Sequence, residues 1–352
     1  MSDVYEELAQ HLDRLPAGFP RTDSGVELRI LKRLFTQEEA WLAVQLGLVP
    51  ESAAEIAQRL EQDAKEMQDK LEEMASKGLI FRLRREQETK YMAAQFMVGI
   101  WEYHVHDLDE EFVRDVNEYL PHLMQGSWMQ TKTKQLRVIP VQESIEGQSG
   151  VMSYDQAMEL VRMQSKIAVA PCICRKEHQI TGQGCERSLE TCLIFGAGAR
   201  FYLDNGWARE IDADEALQIL EKGLQQGLVL QPGNAQKPAN ICLCCGCCCQ
   251  VLKNLKRLQE PAAAIHSNFT ARVDVESCTG CGECEEICQM QAIKLGDTAE
   301  VDPARCIGCG LCAAACEFGA IVLEQKEKEL KYEPPKNMVQ TYLNMAQERG
   351  LL

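Results

Sequence analysis

The first 171 residues of this 352-residue chain contain no cysteine, and all 18 cysteines lie between Cys172 and Cys316. No apolar run approaches the ~20 residues of a membrane-spanning helix, so the sequence predicts no membrane insertion. The acidic N-terminus lacks the apolar segment of a secretory signal peptide. We therefore expect a cytoplasmic protein, where reduced thiols disfavour a disulfide framework. Clustered cysteines in such a compartment indicate metal ligation.

Familiar catalytic patterns are missing as well. The sequence has no Ser–His–Asp pattern, Walker loop, zinc-protease motif or glycine-rich dinucleotide loop, and Gly196-Ala-Gly198 lacks the predicted strand–turn–helix context of such a loop. It therefore leaves open whether the chain is an enzyme, and favours an electron carrier or a subunit of an oxidoreductase. The net charge of −16 repels phosphate groups, which disfavours nucleic acid and favours a redox partner with a basic docking surface.

Changes in composition divide the chain into five stretches. We predict an α+β, multidomain fold whose central domain is mainly helical. The stretches are a winged-helix-like domain (1–100), a connecting segment (101–150), a cysteine-rich metal-binding domain (151–265), a ferredoxin domain (270–325) and a charged tail with a short helix (326–352).

The winged-helix prediction rests on the order helix, helix, strand (79–83), charged turn (84–90) and a second strand that begins at Tyr91. Ser52 and Glu55 have the spacing of a capping box, and Gly78 is placed to end the second helix. That second helix carries one apolar stripe, formed by Ala64, Met67, Leu71 and Met74.

The charge of the same region disfavours DNA binding. Residues 61–77 hold six acids and three lysines, a net charge of −3, whereas a helix that enters the major groove is usually basic. The wing carries Arg82, Arg84, Arg85 and Lys90 against Glu86 and Glu88. We therefore expect this domain to dock a protein or to form a homodimer; the alternative is a packing module without a partner of its own.

The ferredoxin prediction rests on a duplicated cysteine motif. The spacing C-x2-C-x2-C-x3-C occurs twice, 28 residues apart, and is followed each time by a predicted strand, QAIKL or GAIVL. The first three cysteines of each run suit one [4Fe–4S] cluster, and the fourth is expected to begin a helix and ligate the other cluster. The predicted sets are Cys278, Cys281, Cys284 and Cys316 for one cluster, and Cys306, Cys309, Cys312 and Cys288 for the other.

This segment resembles the bacterial dicluster ferredoxins. It departs from that family after each fourth cysteine, where Gln289 and Glu317 stand in place of proline. Residues 276–324 carry nine acids against Lys294 and Arg305, and such a field disfavours the addition of an electron and predicts low reduction potentials.

Ten further cysteines predict one or two more iron–sulfur clusters, with zinc as the alternative. Between them we expect a helix capped by Asp212 and ended by Gly227. If the run from 242 to 249 is extended, its cysteines alternate between two faces; if it is helical, Cys242, Cys245 and Cys249 share one face. Arg175 is a candidate donor to cluster sulfur or an ordinary surface ion-pair residue, and His178 is a candidate ligand or a polar loop residue. The ten are Cys172, Cys174, Cys185, Cys192, Cys242, Cys244, Cys245, Cys247, Cys248 and Cys249.

Over nearly its whole length the chain resembles a group of uncharacterised proteins from strict anaerobes, which share the segment SGVELRILKRLF, a CICR motif, an ICxCCxCCC run and a dicluster ferredoxin end. The resemblance implies that the chain binds 4Fe–4S clusters, but it does not indicate which reaction, if any, the chain catalyses. The leading hypothesis is an electron-transfer protein or electron-wiring subunit. The alternatives are a redox-sensing winged-helix regulator and an oxidoreductase with its active site at the central metal centre.

Overall fold

The structure is a computed structural model that describes residues 3–85 and 88–352. Helices and sheets are mixed along the chain, which confirms the predicted mixture of the two. Within the described residues, no helix is long and apolar enough to cross a membrane.

The N-terminal part is a group of helices followed by a small antiparallel sheet of strand order β1-β3-β2. Ser52 and Glu55 form the predicted capping box at the start of α4. The predicted charged turn of the wing includes Glu86 and Gln87, which lie outside the described residues. The elements are α1 (Val4–Asp13), α2 (Val26–Leu34), α3 (Gln37–Val44), β1 (Glu51–Ser52), α4 (Ala53–Arg59), α5 (Ala64–Ser76), β2 (Ile80–Arg85) and β3 (Glu88–Ala93).

Helix α5 buries one face, as its apolar spacing predicts. Met67, Leu71 and Met74 are buried, but Ala64 is exposed because it lies in the first turn, beyond the edge of the core. Gly78 takes a left-handed φ of +78° just after the helix, as a helix-ending glycine should.

Strand β2 packs against the central part of the chain. The Arg82 side chain is only 5% exposed and donates to Glu72 at 2.6 Å and to Asn205 at 3.0 Å. Arg84 pairs with Asp204 at 3.0 Å. Three of the four basic residues of the predicted wing, Arg82, Arg84 and Lys90, therefore pair with carboxylates of the same chain.

Residues 101–150 contain α6 (Trp101–Tyr103) and the long helix α7 (Glu110–Leu123). One face of α7 is buried and packs on α2. Beyond it, Arg137 and Asp155 form a buried ion pair at 2.8 Å. Asp155 also accepts a hydrogen bond from Asn268 at 2.9 Å, so this pair connects three parts of the chain.

A five-stranded antiparallel sheet of order β6-β4-β5-β8-β7 forms the centre of the cysteine-rich region. The prediction of a mainly helical domain did not include this sheet, because its strands are only three to six residues long and show little periodicity. The elements are α8 (Ala157–Arg162), β4 (Ile167–Pro171), α9 (Ile173–Ile180), β5 (Glu190–Phe195), α10 (Gly196–Asp204), β6 (Arg209–Ile211), α11 (Ala213–Gln225), β7 (Val229–Pro232), β8 (Asn240–Cys244) and α12 (Gln250–Lys256).

Two local predictions in this region have clear outcomes. Asp212 caps α11 by accepting from the Glu215 N–H, and Gly227 takes a left-handed φ of +67° after it, as predicted. The assumption that Gly196 lacks a strand–helix context was wrong, because β5 leads directly into α10 there. The sheet is antiparallel, however, and a dinucleotide loop belongs to a parallel βαβ unit.

The C-terminal part has two-fold internal similarity. Strands β9 and β12 pair antiparallel, as do β10 and β11, and the strands predicted after each cysteine run are β10 and β12. The terminal helix α15 is also present as predicted, and Arg349 after it donates to the Asp13 carbonyl at 2.8 Å. The elements are β9 (Phe269–Val273), α13 (Glu283–Ile287), β10 (Ile293–Leu295), β11 (Ala299–Val301), α14 (Leu311–Ala315), β12 (Ile321–Gln325) and α15 (Met338–Glu348).

Candidate metal centres

The eight cysteines of the repeat line two separate cavities. The third cysteine of each run lies in a short helix, α13 or α14, and the fourth follows the end of that helix. The expectation that the fourth cysteine begins a helix was therefore wrong; it leaves the helix in extended conformation and lies near the other run. One cavity is lined by Cys278, Cys281, Cys284 and Cys316, and the other by Cys288, Cys306, Cys309 and Cys312.

The two cavities differ in their surroundings. Cys281, in the first loop, is exposed. The second loop is enclosed by the rest of the chain: a Cβ on Gly308 would lie 2.2 Å from the Phe269 carbonyl oxygen, and one on Gly310 would lie 2.1 Å from Ser144 Oγ. The first repeat therefore faces solvent, and the second faces the protein.

In the second cavity, burial favours the neutral form of two thiols: it raises the pKa of Cys312 and raises that of Cys309 to about 12. A metal at this site must therefore displace protons from the thiols that it binds. Backbone N–H groups already point at sulfur: the Ala292 N–H donates to Cys288 Sγ at 3.2 Å, and the Ala299 N–H to Cys278 Sγ at 3.4 Å. Such bonds favour thiolate ligands.

The ten central cysteines separate into a group of six and a group of four. The six line a largely apolar cavity of about 60 Å³, which Trp101, Glu102 and Tyr202 also line and which Cys245 of the group of four borders as well. We call this group the six-thiol ring; its members are Cys172, Cys174, Cys192, Cys242, Cys244 and Cys249.

Sheet register explains how the ring forms. Cys192 on β5 lies directly opposite Cys242 on β8, and Cys244 shares the face of Cys242 because it is two residues further along the strand. Cys172 and Cys174 come from the junction of β4 and α9. Hydrogen bonds between neighbouring thiols raise the pKa of Cys174, Cys192 and Cys244 and lower that of Cys172, Cys242 and Cys249.

The other four cysteines form a tighter group, which we call the four-thiol group: Cys185, Cys245, Cys247 and Cys248. Their sulfur atoms all lie within 4.8 Å of one another. Cys185 comes from the loop before β5, and the other three from the turn between β8 and α12.

Neither prediction for the run 242–249 was fully right. It begins as a strand and turns after Cys244, so Cys242 and Cys244 share a face as the extended alternative predicts. The turn places Cys248 in the four-thiol group and Cys249 in the six-thiol ring, the reverse of strict alternation.

Two arginines donate to the four-thiol group. Arg175 is fully buried, and its guanidinium reaches Cys245 Sγ at 3.6 Å and the Leu243 carbonyl at 3.0 Å. Arg187 reaches Cys247 Sγ at 3.6 Å. A hydrogen bond from Cys248 and the charge of Arg175 lower the pKa of Cys245 to about 4. The expectation that Arg175 donates to sulfur at a metal centre agrees with this geometry.

His178 has other partners than a metal. It lies in α9, not in a loop, and its Nδ1 contacts the Cys174 carbonyl at 2.7 Å while its Nε2 contacts Lys253 Nζ at 2.7 Å. With both ring nitrogens engaged, it is not placed to act as a ligand.

Glu102 is a residue of the site that sequence reasoning missed. It lies in the segment predicted to be a connector, and no motif marks it. Its carboxylate accepts from the Gly99 N–H at 2.8 Å. Burial, with smaller effects from Cys242 and Cys172, raises its pKa to about 8.

Comparison with known proteins agrees with the C-terminal geometry. The family model described as "4Fe-4S dicluster domain" matches residues 277–320. No curated protein and no solved structure matches the chain. The match and the grouped cysteines support an iron–sulfur protein with a ferredoxin-type domain and further metal-binding capacity in its central region.

Proposed function

We propose that this chain is an electron-transfer protein or electron-wiring subunit that accepts single electrons at its exposed ferredoxin repeat and delivers them to the central cysteine centres. [4Fe–4S] clusters supply one-electron redox chemistry when they are bound. The observation that carries the proposal is the orientation of the ferredoxin domain, with Cys281 exposed to solvent and the loop of Cys306 and Cys309 enclosed by the protein.

The residues in each cavity suit the cluster assigned to it. We assign Cys278, Cys281, Cys284 and Cys316 to the outer cluster, and Cys288, Cys306, Cys309 and Cys312 to the inner cluster. The crossed sets agree with how the fourth cysteine is used in two-cluster ferredoxins. Each loop also brings backbone N–H groups to sulfur, at Ala299 for the outer set and Ala292 for the inner set.

The electron donor is a protein with a basic docking surface. Around the exposed Cys281, the acidic residues Glu276, Glu283, Glu285 and Glu286 are all exposed. The negative electrostatic field of these carboxylates attracts a basic protein surface and speeds its association at low ionic strength. Raising the salt concentration should therefore slow electron delivery.

We interpret residues 52–93 as a winged helix that serves in protein docking. Its order of helices and strands supports that interpretation, and Arg82 and Arg84 already pair with Glu72 and Asp204. Lys90 also pairs with Glu88, so three of the four wing cations have an acidic partner within the chain. A redox-sensing DNA-binding regulator is disfavoured for the same reason.

Rapid-freeze EPR of the anaerobic holoprotein tests the proposed order of reduction. After mixing with a reduced donor, the ferredoxin signals should appear before those of the central centres. In Cys281→Ser, which damages the outer cluster, reduction of the central centres should slow sharply. Central reduction at the wild-type rate in that variant would contradict the relay.

The six-thiol ring supports a second candidate, an oxidoreductase with its reaction site at the central centre. Six thiols exceed the four that one cubane needs, and Glu102 offers a carboxyl group in the same cavity. If a small substrate is reduced there, Glu102→Gln should abolish turnover while leaving the iron and sulfide contents unchanged.

A further inference from the structure

The four-thiol group brings four sulfur atoms within 4.8 Å of one another. Cys248 Sγ lies 3.7 Å from both Cys185 Sγ and Cys247 Sγ, and Cys185 Sγ lies 4.0 Å from Cys245 Sγ. Within residues 3–85 and 88–352, no other group of cysteine, histidine or carboxylate ligands meets the same 4.8 Å limit.

These distances match four ligands on one ion. A metal–thiolate bond is about 2.3 Å, so the sulfurs of a tetrahedral four-cysteine site lie about 3.8 Å apart. In a cubane each cysteine binds a different iron, so the four sulfurs must stand further apart. Among the ferredoxin cysteines, which must enclose cubanes, no three sulfur atoms lie within 4.8 Å of one another.

The local backbone imposes the compact arrangement. Cys245, Cys247 and Cys248 follow one another around a tight turn, which is too short to wrap a cubane in the manner of the ferredoxin loops. Gly246 in that turn packs against the Gln289 backbone, where a Cβ would lie 2.3 Å from the carbonyl oxygen. Packing against the Gln289 backbone therefore restrains the conformation of the turn.

The electrostatics also suit a single ion. Four thiolates around a divalent ion leave a net charge of −2. Arg175 and Arg187 each place a guanidinium N–H 3.6 Å from a thiol of the group, on Cys245 and Cys247. Two cations thus offset the two excess negative charges.

We propose that Cys185, Cys245, Cys247 and Cys248 bind one tetrahedral metal ion, zinc or iron, as a mononuclear centre distinct from the six-thiol ring. Bound zinc would fix the β8–α12 turn, and bound iron would add a one-electron centre. This site goes beyond the proposed relay and does not depend on it, because it concerns metal binding alone.

The test compares the two exposed cysteines of the chain, Cys247 and Cys281. In anaerobically purified holoprotein, Cys247→Ser should lower bound metal by about one ion per chain without loss of inorganic sulfide. Cys281→Ser is the matched control and should lose iron and sulfide together. Equal loss of iron and sulfide from Cys247→Ser, or no change in its metal content, would overturn the proposal.

Spectroscopy of the unmodified protein provides a second measurement, should Cys247→Ser not fold. X-ray absorption at the zinc edge should show four sulfurs at about 2.3 Å if the ion is zinc. If it is iron, Mössbauer spectra should contain a tetrathiolate component distinct from sulfide-bridged iron. The absence of both signals would overturn the proposal. Both measurements detect the bound metal itself, so their results do not depend on whether the chain relays electrons.

Discussion

The Gly246 N–H donates to Gln289 Oε1 at 2.7 Å. Gly246 lies between Cys245 and Cys247 of the four-thiol group, and Gln289 directly follows Cys288 in the ferredoxin repeat. This single hydrogen bond therefore joins the loop of one candidate metal centre to the loop of another. The Gln289 backbone also packs on Gly246, which leaves no space for a side chain there.

Replacing Gln289 with alanine should slow electron transfer from the ferredoxin repeat to the central centres severalfold, because the loop of Gly246 loses its partner. Freeze-quench EPR of the reduced protein measures this rate. Glu317→Ala is the matched control, because Glu317 follows Cys316 at the equivalent position of the other repeat and is exposed. Equal rates in the two variants would show that the contact has no role in the transfer.

Replacing Cys288 with alanine should damage the cluster that Cys306, Cys309 and Cys312 hold, not the one held by its own neighbours in sequence. The reason is that Cys288 lines the cavity of the second run. EPR of the reduced variant should retain one cluster signal, that of the exposed site. Cys316→Ala should give the complementary result, and loss of the neighbouring cluster in either variant would refute the crossed assignment.

Replacing Asp155 with asparagine should destabilise the protein by about 3–5 kcal/mol, because removal of one partner leaves a buried charge unpaired. The charge left behind is that of Arg137, whose side chain is only 2% exposed. The midpoint of thermal unfolding, followed by circular dichroism, measures the effect. Asp69→Asn, which breaks an exposed pair with Lys65, should change the midpoint little.

Residues 1–100 should not select a DNA sequence. Groove binding requires cations that displace counterions, and Arg82 and Arg84 are already paired within the chain. Sequence-selective DNA binding can be tested by selection from a random DNA pool at physiological salt, with oxidised and with reduced protein. Enrichment of a defined sequence in either state would favour the regulator hypothesis.

Local signals in the sequence were sufficient for some elements of the fold. The capping box of Ser52 and Glu55, the start of α11 at Asp212 and its end at Gly227 follow from short-range hydrogen bonding and backbone conformation. The central sheet was missed because its pairing is long-range: Cys192 lies opposite Cys242, fifty positions away. No short window of sequence contains that information.

Local sequence signals were likewise sufficient for only part of the candidate sites. The ferredoxin cysteines are identifiable because each run supplies three ligands from one loop. The division of the central cysteines depends on the turn after Cys244 and on which strands neighbour β8, so periodicity alone could not produce it. Glu102 reaches the six-thiol ring only through folding and has no sequence signature.

The central claim is that this chain carries iron–sulfur clusters, and the most direct test is the iron and acid-labile sulfide content of anaerobically purified protein, measured together with EPR. The ferredoxin repeat alone should contribute about eight irons and about eight sulfides per chain, as two cubanes. Further metal should come from the central region, and the reduced protein should give the EPR signals of two interacting [4Fe–4S] clusters. Zinc without sulfide, and no EPR signal on reduction, would contradict the account.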